Sequence, residues 1–381
     1  MSLEIHGFCD EKFAAVREAF EKNFVEQGDV GATFCATIEG ETVIDLWGGW
    51  KDKEKTQAWE DDTIVNVYST TKTMAALVML MLADRGEIDF YEKVAKYWPE
   101  FAQNGKGDIE VRHIMSHSAG LSGMDVAVSA QELYSQDRMA ELLAAQAPWW
   151  EDRSKSGYHA LTQGNLQAEI VRRVTGKTLG QFFADEVATP LGADFFIGVP
   201  PEKDAQISVI IPAGGSENQT LASVFGEEES LGYKTFACPA VPAGAPATEA
   251  WRRAELPAAN GHGNARSVAN IHKIIALGGT VGGREFLSKA GVDRIFDEQT
   301  NGQDLVLPIP VRFGMGFGLS GGFMPLGPGG CFWAGAGGSM AIIDTDMKTT
   351  SAYVMNQMTA NIVGDTRSFG LMGGFAQGLV S

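Results

Sequence analysis

Hydrophobic and polar positions recur with two different periods along this chain, and the change of period divides it. Phe13, Val16, Phe20 and Phe24 repeat at three- and four-residue intervals, the stripe of an amphipathic helix. The runs GATFCATI and ETVIDLW are rich in β-branched and aromatic residues, and the Glu39-Gly40 pair between them predicts a hairpin. From about Thr70 to Asp84 the residues are apolar almost all the way round. That pattern predicts a helix buried on every side, ending before Arg85-Gly86.

Residues 85–155 read as helices with polar loops, including RMAELLAAQAPWW. A helix follows from about Leu161 to Val174 with Gly176 as its cap, then another from Leu179 to Val187, stopped before Pro190. Residues 200–260 change character, with clustered Pro, Gly and Ala as in VPAGAPATEA. A loop-rich stretch of this length predicts a wall or lid over a site. The β pattern returns in CFWAG, SMAIIDT and TSAYVMN, with a turn from Asp344 to Lys348, and the Gly-rich tail reads as a short helix or loop. Strands at both ends with helices between them predict one sheet assembled from both termini and a helical region inserted in the middle.

Composition narrows the function. A 381-residue chain suits two or three domain-sized units, and 44% hydrophobic with 20% charged residues excludes disorder. With 48 acidic against 30 basic residues the net charge is −18, so most of the surface repels nucleic acid and anionic lipid. The opening MSLEIHGFCDEKF carries acid early and lacks a basic segment before an apolar one, so no secretory signal is expected. The longest apolar run, Met74 to Ala83, is well short of the roughly 17–25 residues of a membrane span. Cys9, Cys35, Cys238 and Cys331 form no CxxC pair and are expected to stay thiols in a reducing compartment, which points to the cytoplasm.

The sharpest chemical signal is Ser69-Thr70-Thr71-Lys72 at the start of the buried helix. A spacing of three puts the Ser69 hydroxyl and the Lys72 amine on one face, one turn apart. Serine is a poor nucleophile until a base takes its proton, and lysine is a base only when neutral. Its pKa must fall from about 10.4 towards 7, about 4 kcal/mol, and burial by a helix N-terminus drives it that way. The plain alternative, a capping serine and a solvated lysine, fits poorly with the strand-like IVNVY before it and the unbroken apolar run after it.

Two other motifs compete. Gly318-Leu319-Ser320-Gly321-Gly322 fits G-x-S-x-G, but GFMPLGPGG after it cannot form the required helix, and no histidine follows His272. His113 and His117 stand four apart like metal ligands, yet the residues between are Ile114, Met115 and Ser116, without the catalytic glutamate of H-E-x-x-H. Structural histidines bonded to their neighbours are the expected outcome.

S-T-T-K at 69–72, IMSHSAGL at 114–121, GYHALT at 157–162 and FWAGAGGS at 332–339 occur in the order of the serine β-lactamase and penicillin-binding-protein superfamily. The chain most resembles the class C β-lactamase-like carboxylesterases, the family VIII esterases, and the VRRVTGK and PLG segments extend the likeness over nearly its whole length. The resemblance implies an α/β (α+β) fold of that type: an antiparallel sheet built from both termini, flanked by helices, plus an inserted mainly helical domain. The expected boundaries are 1–84 and 262–381 for the α/β domain, with the helices of 156–199 packing on it, and 85–155 and 200–261 for the insertion.

By the same resemblance Ser69 is the nucleophile, Lys72 its partner, and Tyr158 the tyrosine of Y-x-N that shares the general-base role. Trp333-Ala334-Gly335 takes the place of K-T-G, which implies an edge strand beside the nucleophile. Ala336 and Ser69 then offer backbone N–H groups for an oxyanion hole. Trp333, Gly335 and His159 are the candidate substrate contacts. Two departures bear on the substrate: Ala160 replaces the asparagine of Y-x-N and Trp333 the lysine of K-T-G. Exchanging an ammonium for an indole removes an anion anchor and adds apolar surface, which suits a small neutral ester, by default one with a short acyl chain. The expected activity is carboxylic ester hydrolysis through an acyl-serine intermediate, without metal or organic cofactor, by a monomer or homodimer. A β-lactamase or DD-peptidase, or an acyltransferase using the same acyl-enzyme, is the alternative.

Overall fold

The structure is a computed structural model that describes residues 3–215, 222, 225, 227–321 and 323–381. Parts of the expected 200–260 wall and Gly322 of the G-x-S-x-G motif lie outside the described residues.

The main sheet has nine antiparallel strands: β1 (Ile5–Cys9), β2 (Gly31–Ile38), β3 (Glu41–Gly49), β4 (Thr300–Gln303), β5 (Pro310–Phe313), β6 (Gly318–Leu319), β7 (Gly330–Ala334), β8 (Met340–Asp344) and β9 (Thr349–Met355). Their spatial order is β1-β3-β2-β9-β8-β7-β6-β5-β4, so β2 pairs with β9 and joins the two ends of the chain. This is the antiparallel sheet from both termini that the sequence predicts. The β2–β3 hairpin turns at Glu39 and Gly40, both at positive φ, as a two-residue hairpin requires.

Strands β2 and β9 are buried on both faces, because a layer of helices covers each. Ala32, Phe34 and Ala36 of β2 face one core with α1 (Ala14–Glu26) and the C-terminal helix, whereas Cys35 faces the other. That second, larger core contains α2 (Thr71–Asp84), whose residues from Thr71 to Leu82 are all buried, together with α3 (Thr162–Thr175) and α4 (Ala265–Ala276). Gly176 caps α3 in the left-handed conformation.

The structure departs from expectation at three elements. The helix from Leu179 does not stop before Pro190. It passes through a π-helical turn at Ala184–Ala188, which changes the hydrogen-bond spacing just ahead of Pro190, and ends at Leu191 before Gly192 in the left-handed conformation. Residues 231–253 carry two short helices, Leu231–Ala237 and Glu249–Arg253, amid the loops.

The Gly-rich tail forms a full helix, α5 (Thr366–Val380), capped by Asp365. Two of its glycines serve packing: a Cβ at Gly378 would come within 2.4 Å of Phe13 and one at Gly374 within 3.3 Å of Val16, so the missing side chains let α5 lie close on the start of α1. No helix among the described residues is long and apolar enough to cross a membrane.

A buried ion cluster ties α5 to the sheet. Arg367, 1% exposed, donates to Asp29 Oδ1 at 2.6 Å, Asp365 Oδ2 at 2.6 Å and the Gly337 carbonyl at 2.7 Å, and Tyr353 donates to Asp29 Oδ2 at 2.6 Å. Replacing Arg367 with Met leaves two buried carboxyl groups without their cation. Such a change typically destabilises by about 3–5 kcal/mol, so Arg367→Met is expected to lower the urea midpoint and Tm markedly. Unchanged denaturation would show that the cluster is stabilised by other contacts.

Candidate active site

Ser69 lies in a 3₁₀ turn, Tyr68–Thr70, that leads into α2. The turn is strained at Tyr68, a non-glycine residue with φ 46°, and is held from several sides. Thr71 Oγ1 donates to the Tyr68 carbonyl at 2.5 Å and accepts the Gly261 N–H at 2.9 Å. Ser339, at the start of the β8 hairpin, donates to the Val67 carbonyl at 2.9 Å and lies 3.0 Å from Thr70 Oγ1. These bonds place the half-buried Ser69 hydroxyl between α2 and the β7–β8 turn.

Lys72 and Tyr158 both reach it. The Tyr158 hydroxyl donates to Ser69 Oγ at 2.7 Å, and Lys72 Nζ stands 3.4 Å from the same atom. Lys72 is 1% exposed, and its Nζ donates to the carbonyls of Ala160 at 2.7 Å and Ala258 at 2.8 Å. Burial drives its pKa well below the ordinary lysine value. Burial pushes the Tyr158 phenol in the opposite direction, upwards, and the hydrogen bond to Ser69 offsets part of that. Both effects favour the uncharged forms, an amine and a phenol. A neutral amine has two N–H bonds, which the two carbonyls occupy, so its lone pair is left for Ser69 Oγ.

Trp333, on β7, is 5% exposed and lines the cavity above Ser69, stacked on Phe313 with ring centroids 5.5 Å apart. Ala336 and Ser69 also line this cavity, and among the described residues neither backbone N–H donates a hydrogen bond. Gly335 permits their approach, since a Cβ there would lie 2.3 Å from the Val67 carbonyl oxygen and 3.3 Å from Ser69 N. Ala160 lines the cavity as well.

His159 does not reach the cavity. Its ring is fully buried, with Nδ1 2.6 Å from the Gly157 carbonyl and Nε2 accepting the Leu121 N–H at 3.1 Å, so both nitrogens serve the backbone instead of a substrate. In the pair four residues apart, His113 Nδ1 accepts the Glu110 N–H at 3.0 Å, and His117 Nδ1 accepts the His159 N–H at 3.0 Å. Among the described residues no group of three His, Cys, Asp or Glu side chains converges as metal ligands. Ser320 Oγ donates to the Leu326 carbonyl at 2.5 Å in a turn without a following helix, and it does not line the cavity although Leu319 and Gly321 on either side of it do.

The sequence reading missed the groups that hold Lys72. The carbonyls of Ala160 and Ala258 are backbone atoms, and no residue type announces them. It also missed the extent of the apolar wall, which includes Phe236, Val241, Leu307, Ile309 and Ile362. Arg312 is its one charged side chain among the described residues, and it is paired with Glu298.

The Ser69 hydroxyl, in hydrogen-bond range of a buried lysine and a tyrosine, thus lies at the start of a buried helix and beside β7, which is an inner strand of the sheet and not the expected edge strand. The sequence matches the family described as Beta-lactamase over residues 17–368, and the chain belongs to that family. It is 36% identical to the Esterase/beta-lactamase LipL of Mycobacterium tuberculosis over 373 residues, 94% of this chain and 84% of that protein. The crystal structure of a family VIII carboxylesterase superposes with TM-score 0.91 at 39% identity, covering 98% of this chain and 100% of the other. A penicillin-binding protein homologue from Caulobacter crescentus does so with TM-score 0.91 at 37% identity and the same coverage. The expected fold and family are thus established, and the chain is an enzyme of this fold.

Gly335→Ala tests the close approach of strand and nucleophile. The added methyl forces the strand away from the Ser69 turn, and displacement by about 1 Å costs on the order of 100-fold in rate. Ester turnover should fall by about that factor, with the near-UV circular dichroism retained. Wild-type turnover would mean that the strand yields without cost.

Proposed function

We propose that this protein is a serine carboxylesterase acting on small, uncharged esters with short acyl chains. The observation that carries the reading is the convergence of Lys72 Nζ and the Tyr158 hydroxyl on Ser69 Oγ, at 3.4 Å and 2.7 Å, beneath an apolar cavity. Ser69 Oγ attacks the ester carbonyl while its proton passes to Lys72 Nζ. The Ser69 and Ala336 N–H groups receive the developing oxyanion, a contribution typically worth about 3–4 kcal/mol per donor. Tyr158, protonated and refilled from Lys72, hands a proton to the leaving alcohol. Water then repeats the sequence on the acyl-serine, and the acid is released.

The order Lys72 first, Tyr158 second follows from the burial of both groups, which favours a neutral amine and a protonated phenol. The substrate class follows from the wall: Trp333 stands where the resemblance places a lysine, Ala160 where it places an asparagine, and Arg312 is already paired with Glu298. A carboxylate-bearing β-lactam or peptide would find little to hold it there. The relative's name, Esterase/beta-lactamase, makes lactam turnover the activity to compare.

A fluorophosphonate should label Ser69, and p-nitrophenyl acetate should turn over much faster than nitrocefin. Labelling at Ser320 or preferential nitrocefin hydrolysis would overturn the assignment. Tyr158→Phe should lower kcat by about 10²–10⁴, the usual worth of a positioned proton donor.

The pH dependence has a fixed sign. The amine acts when deprotonated, so kcat/KM should rise with pH through the lowered pKa of Lys72 and level off well below 10.5. Lys72→Arg, whose guanidinium stays protonated, should be inactive at every pH. A flat profile, or an active arginine variant, removes Lys72 as the base.

A further inference from the structure

A buried carboxylate outside the motifs grips the backbone of Tyr158. Asp304, 5% exposed, lies in the loop between β4 and β5. Its Oδ1 accepts three N–H groups: Tyr158 at 3.0 Å, Val306 at 2.9 Å and Leu307 at 2.8 Å. Next to it the Leu305 N–H donates to the Ser156 carbonyl at 2.8 Å, a second tie between the same two segments. Two of the three bonds to Oδ1 are local and form the turn itself. The third runs across 146 residues to Tyr158. Asp304 Oδ2 is buried with no partner among the described residues, a cost that the turn alone does not require.

We propose that Asp304 is a positioning residue for Tyr158, fixing its main chain so that the phenol stays on Ser69 Oγ, and this rests on the role assigned to Tyr158 above. The phenol's other neighbours come from different elements. Lys72 Nζ on α2 lies 4.9 Å from the ring centroid, the His117 and Trp333 rings lie 4.9 Å and 6.3 Å away, and Ser69 Oγ accepts its hydrogen bond. Each of these touches the side chain, whereas Asp304 holds the backbone from which it projects. Its negative charge also adds to the effect of burial in keeping the phenol protonated.

The test uses the whole chain and a double-mutant cycle with Tyr158→Phe, read with p-nitrophenyl acetate. In Asp304→Ser the hydroxyl still accepts the local N–H groups of the turn but falls short of Tyr158. It should lose about 10- to 100-fold in kcat, the cost of a small misplacement, with KM little changed. Asp304→Asn keeps an acceptor oxygen in place and should restore most of that rate. In the Tyr158→Phe background neither variant should lower kcat further, because the group they position is gone.

A purely structural Asp304 predicts the same fold-loss in both backgrounds, and that result overturns the proposal, as does a wild-type kcat in Asp304→Ser. Should Asp304→Ser fail to fold by thermal melting, Asp304→Asn carries the cycle alone. Its weaker acceptor should give a few-fold loss that vanishes beside Tyr158→Phe. Wild-type turnover by Tyr158→Phe itself overturns instead the role of Tyr158 on which the proposal stands.

Discussion

An amine buried between two carbonyl oxygens is the constraint on which the site depends. Lys72 lies at the start of a helix packed on every side, and in hydrogen-bond range among the described residues it meets only oxygens of Ala160, Ala258 and Ser69. With a carboxylate partner it would remain an ammonium. With no partner it would be a buried amine left unsatisfied, which folding tolerates poorly. Two neutral acceptors are the intermediate arrangement: they orient the group and leave its protonation to burial. The carbonyls come from segments far apart in the chain, so the amine is poised only after the sheet, α3 and the loop around Ala258 have assembled.

That dependence explains why the chain surrounds the site with rigid contacts. Ser339 joins the β8 hairpin to the nucleophile turn, and Arg367 joins α5 to the Gly337 carbonyl, one residue beyond Ala336. The chain's two ends meet at β2 and β9, and the cluster of Asp29, Tyr353 and Arg367 bonds the same junction from inside. Ser69 and Ala336, the proposed nucleophile and oxyanion donor, are thereby held as one unit although they come from opposite halves of the sequence. Positional error of an ångström is costly in such a site, so the bonds behind it matter as much as those in it.

What could be read from the sequence follows the range of each interaction. The hairpin at Glu39-Gly40, the buried helix after Ser69 and the capped helix ending at Gly176 are set by neighbours a few residues apart, and pattern alone locates them. Ser69, Lys72 and Tyr158, singled out by spacing and motif, do come together in the fold. The tail was misjudged as a possible loop because a glycine lowers helix propensity wherever it stands, while the close contact of Gly378 with Phe13 exists only in three dimensions. His159 stood among the candidate substrate contacts that the resemblance implies. In the fold its ring turns away to bond Leu121 and Gly157. The carbonyls that hold Lys72 and the carboxylate of Asp304 stayed hidden for one reason: they act through backbone atoms of residues remote in the chain.

The same dryness governs both protonation and selectivity. Trp333 and Phe313 pack around Tyr158, Lys72 is buried in α2 behind the cavity, and that burial drives the amine towards its neutral form. A wall made polar enough to anchor a substrate carboxylate would bring in water or a cation. A cation beside Tyr158 would favour the phenolate, and water would ease the return of the proton to Lys72. An apolar substrate is therefore more than a matter of fit. Under the proposed mechanism a neutral ester would leave the pair in its low-dielectric surroundings, whereas a charged one would have to be paired with a group that alters them. The exchange of a lysine for Trp333 and the lowered basicity of Lys72 are in this sense two consequences of one choice of lining.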